Sequence, residues 1–261
     1  MTDRRARTSG GKAVALVTGA GLRIGRAIAV DLAAHGHAVA LHYRSSEEEA
    51  RAVMKTIVDA GGRAALVRAD LADPVAAERL VAAAADALGG PVLTLVNNAS
   101  LFEADTLATL TPAGWQAHLS VNTLAPLLLT QALAAALPAG KKANVINMID
   151  QRVWRLDPTF MSYTASKAAL WTLTRTTAQA LAPYVRVNAI GPGPTLQSTH
   201  QSAADFAAEA ASVPLERGPD LAEICRAVRF LLETPSMTGQ MLALDGGQHL
   251  GWLPAAFTES P

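Results

Sequence analysis

The stretch KAVALVTGAGLRIG, residues 12–25, runs from an apolar β-like segment into a glycine-bearing turn that opens a helix. KAVALVT (12–18) is a continuous apolar run of the kind that forms a strand covered on both faces. In TGAGLRIG, Gly19 permits a tight turn and Gly25 permits close packing of helix on strand. The helical pattern continues to about His35 and gives way to AVALHY (38–43). From there the alternation repeats along the chain. A helix over Ser46–Ala60 leads to RAALVRAD (63–70), and another over Pro74–Leu88 leads to VLTLV (92–96). A long helix from about Pro112 to Leu137, the strand NVINMI, a helix around Tyr163, VRVNAI (185–190) and QMLALDGG (240–247) complete the series. Alternating βα units joined by right-handed crossovers predict an α/β fold, a doubly wound parallel sheet with helices on both faces.

Nothing in the composition divides the chain. Residues 12–261 read as one domain, preceded by a polar, basic arm, MTDRRARTSGG (1–11), expected to be disordered. Half of the residues are hydrophobic, 17% are charged, and 22 Lys+Arg balance 22 Asp+Glu. That balance gives no reason to expect nucleic acid or an anionic membrane as partner. No run approaches the ~18 apolar residues of a membrane span. The single cysteine, Cys225, excludes an intrachain disulfide framework and a Cys-rich zinc site, and a reduced thiol suits the cytoplasm. No metal site is expected. The segment GPGPT (191–195) and the polar stretch to Arg217 predict a long loop, 194–217, over the sheet's C-terminal edge, where lids form.

The turn after the first strand is placed to hold a pyrophosphate on backbone N–H groups at a helix start. Arg23 stands where such loops often carry another glycine; it borders either the phosphates and the substrate mouth or open solvent. The second strand ends in HYRSSEEE. An acidic residue there would bind a ribose 2′-hydroxyl and repel a 2′-phosphate. His42, Arg44, Ser45 and Ser46 instead suit a phosphate, which predicts NADPH. Glu47 onward belongs to the first turn of the next helix, where acids suit the dipole. Asp70, ending the third strand, is placed either to meet an adenine or to cap a helix.

Tyr163 and Lys167 stand at i and i+4 of a helix and project from one face. A nearby ammonium and the positive nicotinamide of an oxidised cofactor are both expected to draw the phenol below its ordinary pKa of ~10, toward useful acid-base chemistry. The preceding strand ends in Asp150, a carboxylate where a hydroxyl would serve a carbonyl reductase. LVNNAS (95–100) ends the fourth strand in side-chain amides and small residues, and Asn122 lies in the next helix, near the lysine.

TG-x4-IG, NNA, Asn122, Tyr163-x3-Lys167 and RVNAIGPGP together resemble the short-chain dehydrogenase/reductase family over about residues 12–250. Within it the chain resembles the pteridine reductase branch, through Arg23, LHY, NNAS-x-F and Asp150. The resemblance implies a Rossmann-type fold and a small-molecule substrate. It places Gly19, Arg23, Ile24, Gly25, His42, Tyr43, Arg44, Ser45, Ser46, Asp70, Leu71, Asn98, Ala99, Ser100, Lys167, Pro192 and Gly193 around NADPH/NADP. Tyr163 would supply a proton, Lys167 would hold the nicotinamide ribose, and Asn122 would support the lysine through water. Phe102 would stack on a flat pterin, Asp150 would bond it, and Ser100 and Arg23 would bond it or the adjacent phosphates. After LHY the arginine and serines stand one place from the branch's pattern. A homotetramer is implied, built on the helices of Asn122 and Tyr163, with Trp252 and Leu253 near a neighbouring subunit or packed on their own. A carbonyl or 3-oxoacyl reductase and a non-catalytic NADPH sensor are the competing readings.

Overall fold

The computed structural model describes residues 14–198 and 200–251. The expected basic arm and the residues Trp252 and Leu253 lie outside these. Seven strands form one parallel sheet: β1 (Val14–Val17), β2 (Ala38–Tyr43), β3 (Arg63–Arg68), β4 (Val92–Asn97), β5 (Ala143–Met148), β6 (Val185–Pro192) and β7 (Met241–Leu244). Their spatial order is β3-β2-β1-β4-β5-β6-β7. The order reverses between β1 and β4, so the crevice beyond their carboxyl ends is where a ligand enters a sheet of this kind.

Every residue of β1 and β2 is buried, because helices cover the sheet on both sides. Alternate residues of β1 serve opposite cores. Val14 and Leu16 pack with α3 (Pro74–Leu88), α5 (Ala125–Ala135) and α6 (Met161–Leu181). Ala15 and Val17 pack with α1 (Arg23–Ala34), α2 (Glu47–Asp59) and α8 (Leu221–Glu233). Cys225 lies in this second core, where burial pushes its thiol up to about 11, so it stays protonated.

Three expectations need correction. The third strand stops at Arg68, because Asp70 folds into a turn in which its Oδ1 accepts Ala72 N–H at 2.9 Å. Asp73, rather than Asp70, caps α3 by accepting Val75 N–H. The long helix is not uniform. α4 (Pro112–Leu119) passes through a π-helical turn, Ser120–Leu124, before α5 begins. Such turns recur at functional sites, and this one carries Asn122, which is fully buried. The loop over 194–217 contains α7 (Ala203–Ala211), started by a Ser202/Asp205 capping box and burying none of its residues.

Candidate active site

The glycine turn is held from behind by side chains. Thr18 Oγ1 accepts N–H from Asn98 and Ala99, each at 2.9 Å. Asn98 Nδ2 donates to the Thr18 carbonyl at 2.9 Å and the Gly19 carbonyl at 3.3 Å. Asn98 therefore binds the turn to the end of β4 through its side chain. A Cβ at Gly25 would stand 2.2 Å from the Gly19 oxygen, which no side chain tolerates. Gly19 has φ +63, and a Cβ there would crowd Ala99 at 3.1 Å. These two positions keep backbone at the surface of the switch-point crevice. Ile24 is partly buried behind them against the second core.

His42, expected to face a phosphate, turns inward instead. It is 2% exposed. Its Nδ1 accepts Gly19 N–H at 3.1 Å, and Nε2 donates to the Ala69 carbonyl at 3.2 Å. Only a neutral ring satisfies both bonds, and burial lowers its pKa to about 4. Tyr43 and Leu71 are buried too, so their side chains serve the core. Arg44 and Ser45 remain exposed at the strand end, and Arg68 Nε donates to the Arg44 carbonyl at 3.2 Å. Ser46 is the N-cap of α2 but makes no side-chain cap bond. Glu47, Glu48 and Glu49 occupy the first turn of α2, as expected.

His42 makes the turn sensitive to acid. Its folded pKa lies below the unfolded value of 6.5, so its contribution is complete above pH 6.5. That contribution fades as pH falls from 6.5 towards 4, because only the unfolded chain takes up the proton. Between pH 7 and 4.5 the wild-type protein should lose about 2–3 kcal/mol that His42→Gln does not lose. Urea denaturation of both proteins across that range checks this; equal losses would refute it.

Arg23 adopts φ +52, unusual for a non-glycine residue. Its guanidinium donates to the Gln197 carbonyl at 2.7 Å and the Leu196 carbonyl at 3.1 Å. The glycine turn is thus tied directly to the 194–217 loop. From that loop His200 Nε2 also meets the Phe102 carbonyl at 3.0 Å. Gly193 follows Pro192, the last residue of β6, and its N–H donates to the Leu244 carbonyl of β7 at 2.9 Å. A Cβ at Gly193 would lie 2.7 Å from Asp245 Cα.

Tyr163, Lys167 and Asp150 converge at the ends of β5 and α6. Tyr163 Oη donates to Asp150 Oδ2 at 2.9 Å. Asp150 Oδ1 accepts Arg152 N–H at 2.8 Å, so this residue also caps the short 3-10 turn Gln151–Val153. Lys167 is buried, and its Nζ donates to the Met148 carbonyl at 2.8 Å, standing 5.7 Å from the centre of the Tyr163 ring. The protein's own groups do not draw the phenol below its ordinary pKa. Burial and the Asp150 carboxylate raise it well above 10, because a phenolate there would face an adjacent negative charge. Burial also raises Asp150 above the usual carboxylate value, against opposing hydrogen bonds and cations. Burial lowers Lys167 to about 8.

Asn122 bonds the backbone of the segment that follows β4. Its Oδ1 accepts Leu101 N–H at 2.7 Å and the Ser100 hydroxyl at 3.2 Å. Its Nδ2 donates to the Leu101 carbonyl and to Ser166 Oγ, both at 2.9 Å. Phe102 stacks on Phe160 with centroids 4.4 Å apart and planes 3° from parallel, and meets Tyr163 edge-on at 4.7 Å. The Arg152 guanidinium lies 5.4 Å from the Phe160 ring centre. Phe160, His200, Ser166 and Asp105 were not singled out in the sequence. Only Ser166, three residues after Tyr163 on the same helix, carried a spacing signal.

A glycine turn at the switch point and a Tyr/Lys pair at the end of β5 form one crevice. The family model described as short chain dehydrogenase matches residues 13–208. The chain belongs to that family. It is an oxidoreductase of the short-chain dehydrogenase kind, and it resembles solved members closely. A crystal structure of FolM alternative dihydrofolate reductase 1 from Brucella suis, in complex with NADP, shares 49% sequence identity at a TM-score of 0.90. The match covers 96% of this chain and 98% of that one. A short chain dehydrogenase from Burkholderia cenocepacia, in complex with NADP, is 36% identical at a TM-score of 0.83, over 91% of this chain and 97% of that one. Among named relatives, the 3-oxoacyl-[acyl-carrier-protein] reductase of Synechocystis sp. is 33% identical, covering 90% of this chain and 96% of its own.

Proposed function

We propose that this short-chain dehydrogenase is an NADPH-dependent reductase of a pteridine ring, of the dihydrobiopterin, dihydromonapterin or dihydrofolate type. The observation that carries this reading is the hydrogen bond from Tyr163 to a carboxylate, Asp150, at 2.9 Å. Beside a carbonyl, an anionic Asp150 would oppose the oxyanion that develops during reduction. A ring C=N bond asks for something else, a proton delivered to nitrogen as hydride reaches carbon.

The chain's residues fit the cofactor. The crevice at Gly19 and Gly25 has no room for a Cβ, which leaves backbone free to approach a pyrophosphate. Arg44 and Ser45 are exposed where a ribose 2′-phosphate would lie, and no acidic residue precedes them at the end of β2. Bound there, the reduced nicotinamide supplies the hydride.

The side chains supply the rest. Lys167, fixed to the Met148 carbonyl, would hold the nicotinamide ribose. Tyr163 passes its proton to the ring nitrogen, and Asp150, whose raised pKa lets it take up a proton closer to neutral pH than an ordinary carboxylate, relays one from solvent to the phenolate. Phe102 and Phe160 give the mouth an apolar face suited to a flat heterocycle.

The similarity to the Synechocystis reductase favours a second reading, reduction of a 3-oxoacyl carbonyl. One experiment separates the two: NADPH oxidation by the purified protein with dihydrobiopterin, dihydromonapterin and dihydrofolate, beside a panel of ketones and 3-oxoacyl thioesters. Turnover confined to the pterins is the expected result. Turnover of carbonyls alone would replace this reading with the second, and NADPH binding without any turnover would point to a sensor. The same reading carries a homotetramer, which sedimentation of the full chain would reveal.

A further inference from the structure

Helix α6 does not cap its own amino end. Its N-cap, Phe160, has φ +54 and no side-chain acceptor for the free N–H groups of the first turn. One of those donors, Ser162 N–H, is met from 57 residues earlier in the chain, by Asp105 in the segment that follows β4. Its carboxylate accepts Ser162 N–H at 3.1 and 3.3 Å and also accepts the Ser162 hydroxyl. Its backbone carbonyl accepts Phe160 N–H at 2.7 Å. Ser162 is fully buried, so water offers these groups no alternative.

The next residue is Tyr163. A second attachment reaches it from the other side. Asn122 donates to Ser166 Oγ, and that hydroxyl donates to the Tyr163 carbonyl at 2.7 Å. Asn122 also grips Leu101, so both attachments bind α6 to the segment carrying Phe102. The stacked Phe102–Phe160 pair is the product of the same arrangement, since Phe160 is held in its left-handed conformation beside Asp105.

We propose that Asp105 is a positioning residue for Tyr163. Its carboxylate fastens the first turn of α6 so that the phenol meets Asp150 and the aromatic pair stays assembled at the mouth. An ordinary helix cap contributes stability wherever the helix starts. Asp105 does more because the helix start it holds carries the phenol, and sub-ångström placement governs proton transfer. The inference rests on the proposed role of Tyr163 as proton donor, but it does not depend on which substrate receives the proton.

The test compares full-length Asp105→Ala and Asp105→Asn with wild type, using whichever pterin or carbonyl the wild type reduces. In Asp105→Ala, kcat should fall roughly 10- to 100-fold. The NADPH dissociation constant, read by nicotinamide fluorescence, should stay within about twofold. The 13Cζ resonance of Tyr163, assigned by its loss in Tyr163→Phe, should move as the bond to Asp150 loosens. Asp105→Asn keeps an acceptor for Ser162 N–H and should recover most of both signals, which also covers the case in which the alanine variant fails to fold. A lower melting temperature with unchanged kcat and an unmoved Tyr163 resonance would overturn the proposal and leave Asp105 a structural cap. Wild-type turnover of carbonyls alone would defeat the pteridine reading while leaving this test intact. Without any turnover, the Tyr163 resonance decides it.

Discussion

Tyr163→Phe should lower kcat for pterin reduction by about 10³-fold, equivalent to about 4 kcal/mol of transition-state stabilisation. The substitution removes one oxygen atom. Tyr163 is 6% exposed and its ring packs edge-on against Phe102 at 4.7 Å, contacts that phenylalanine keeps. What disappears is the donor that stands 2.9 Å from Asp150 Oδ2. Asp150 would then face the substrate without its intermediary. The NADPH dissociation constant should hardly change, because the groups expected to meet the cofactor's phosphates lie at Gly19–Gly25 and Arg44–Ser46. Steady-state kinetics with fluorescence titration of NADPH measures both. A loss confined to KM would show that the hydroxyl only binds substrate.

Asp150→Ser should reverse the selectivity of the site, lowering pterin reduction by about 10²-fold and raising ketone reduction above its wild-type level. Serine restores a neutral donor beside Tyr163 and removes the negative charge that opposes an oxyanion. It also relieves the Coulombic repulsion that raises the phenol, so Tyr163 should ionise more readily.

Asp150→Asn isolates the proton from the shape. It keeps a side chain of similar size next to Tyr163 but stores no proton. Burial raises the Asp150 pKa, so its protonated form persists to higher pH than in an exposed carboxylate. The wild-type rate should therefore be highest on the acid side and fall as pH rises through that value. In Asp150→Asn this descent should vanish, leaving only the descent where Lys167 loses its charge, moved below the wild-type value of about 8 because Asp150 no longer raises it. A pH–rate profile of the asparagine variant that overlays the wild type would end the case for Asp150 as the proton reserve. Unchanged pterin-to-ketone selectivity in Asp150→Ser would end the case for its role in substrate choice.

Much of the crevice could be read from neighbouring residues in the chain. Gly19 and Gly25 follow a strand and open a helix, and the need for glycine there is a matter of backbone conformation and close packing. Tyr163 and Lys167 are one helical turn apart, which places both on the face that meets β5. Continuous apolar runs marked a sheet covered on both faces, and burial of every residue of β1 and β2 has the same physical origin. His42 was misread because a polar residue at a strand end suggests a ligand, and composition gives no hint that its ring would fill the space behind Gly19. Asn122 was expected to bond backbone and does so at Leu101, but its bond to Ser166 joins helices 44 residues apart, a pairing that no local pattern carries.

Periodicity and local backbone chemistry thus specify strands, helices and the glycine turn, since each depends on contacts within a few residues. Partnership depends on the packed sheet. Tyr163 finds Asp150 across 13 residues, Asn122 finds Ser166 across 44, Asp105 finds Ser162 across 57, and Arg23 finds Gln197 across 174. Those separations carry no period. Once folding withdraws these groups from water, each must bond to whatever the strand order brings beside it, and that order turns a raised phenol, a shared carboxylate and a lysine into one site.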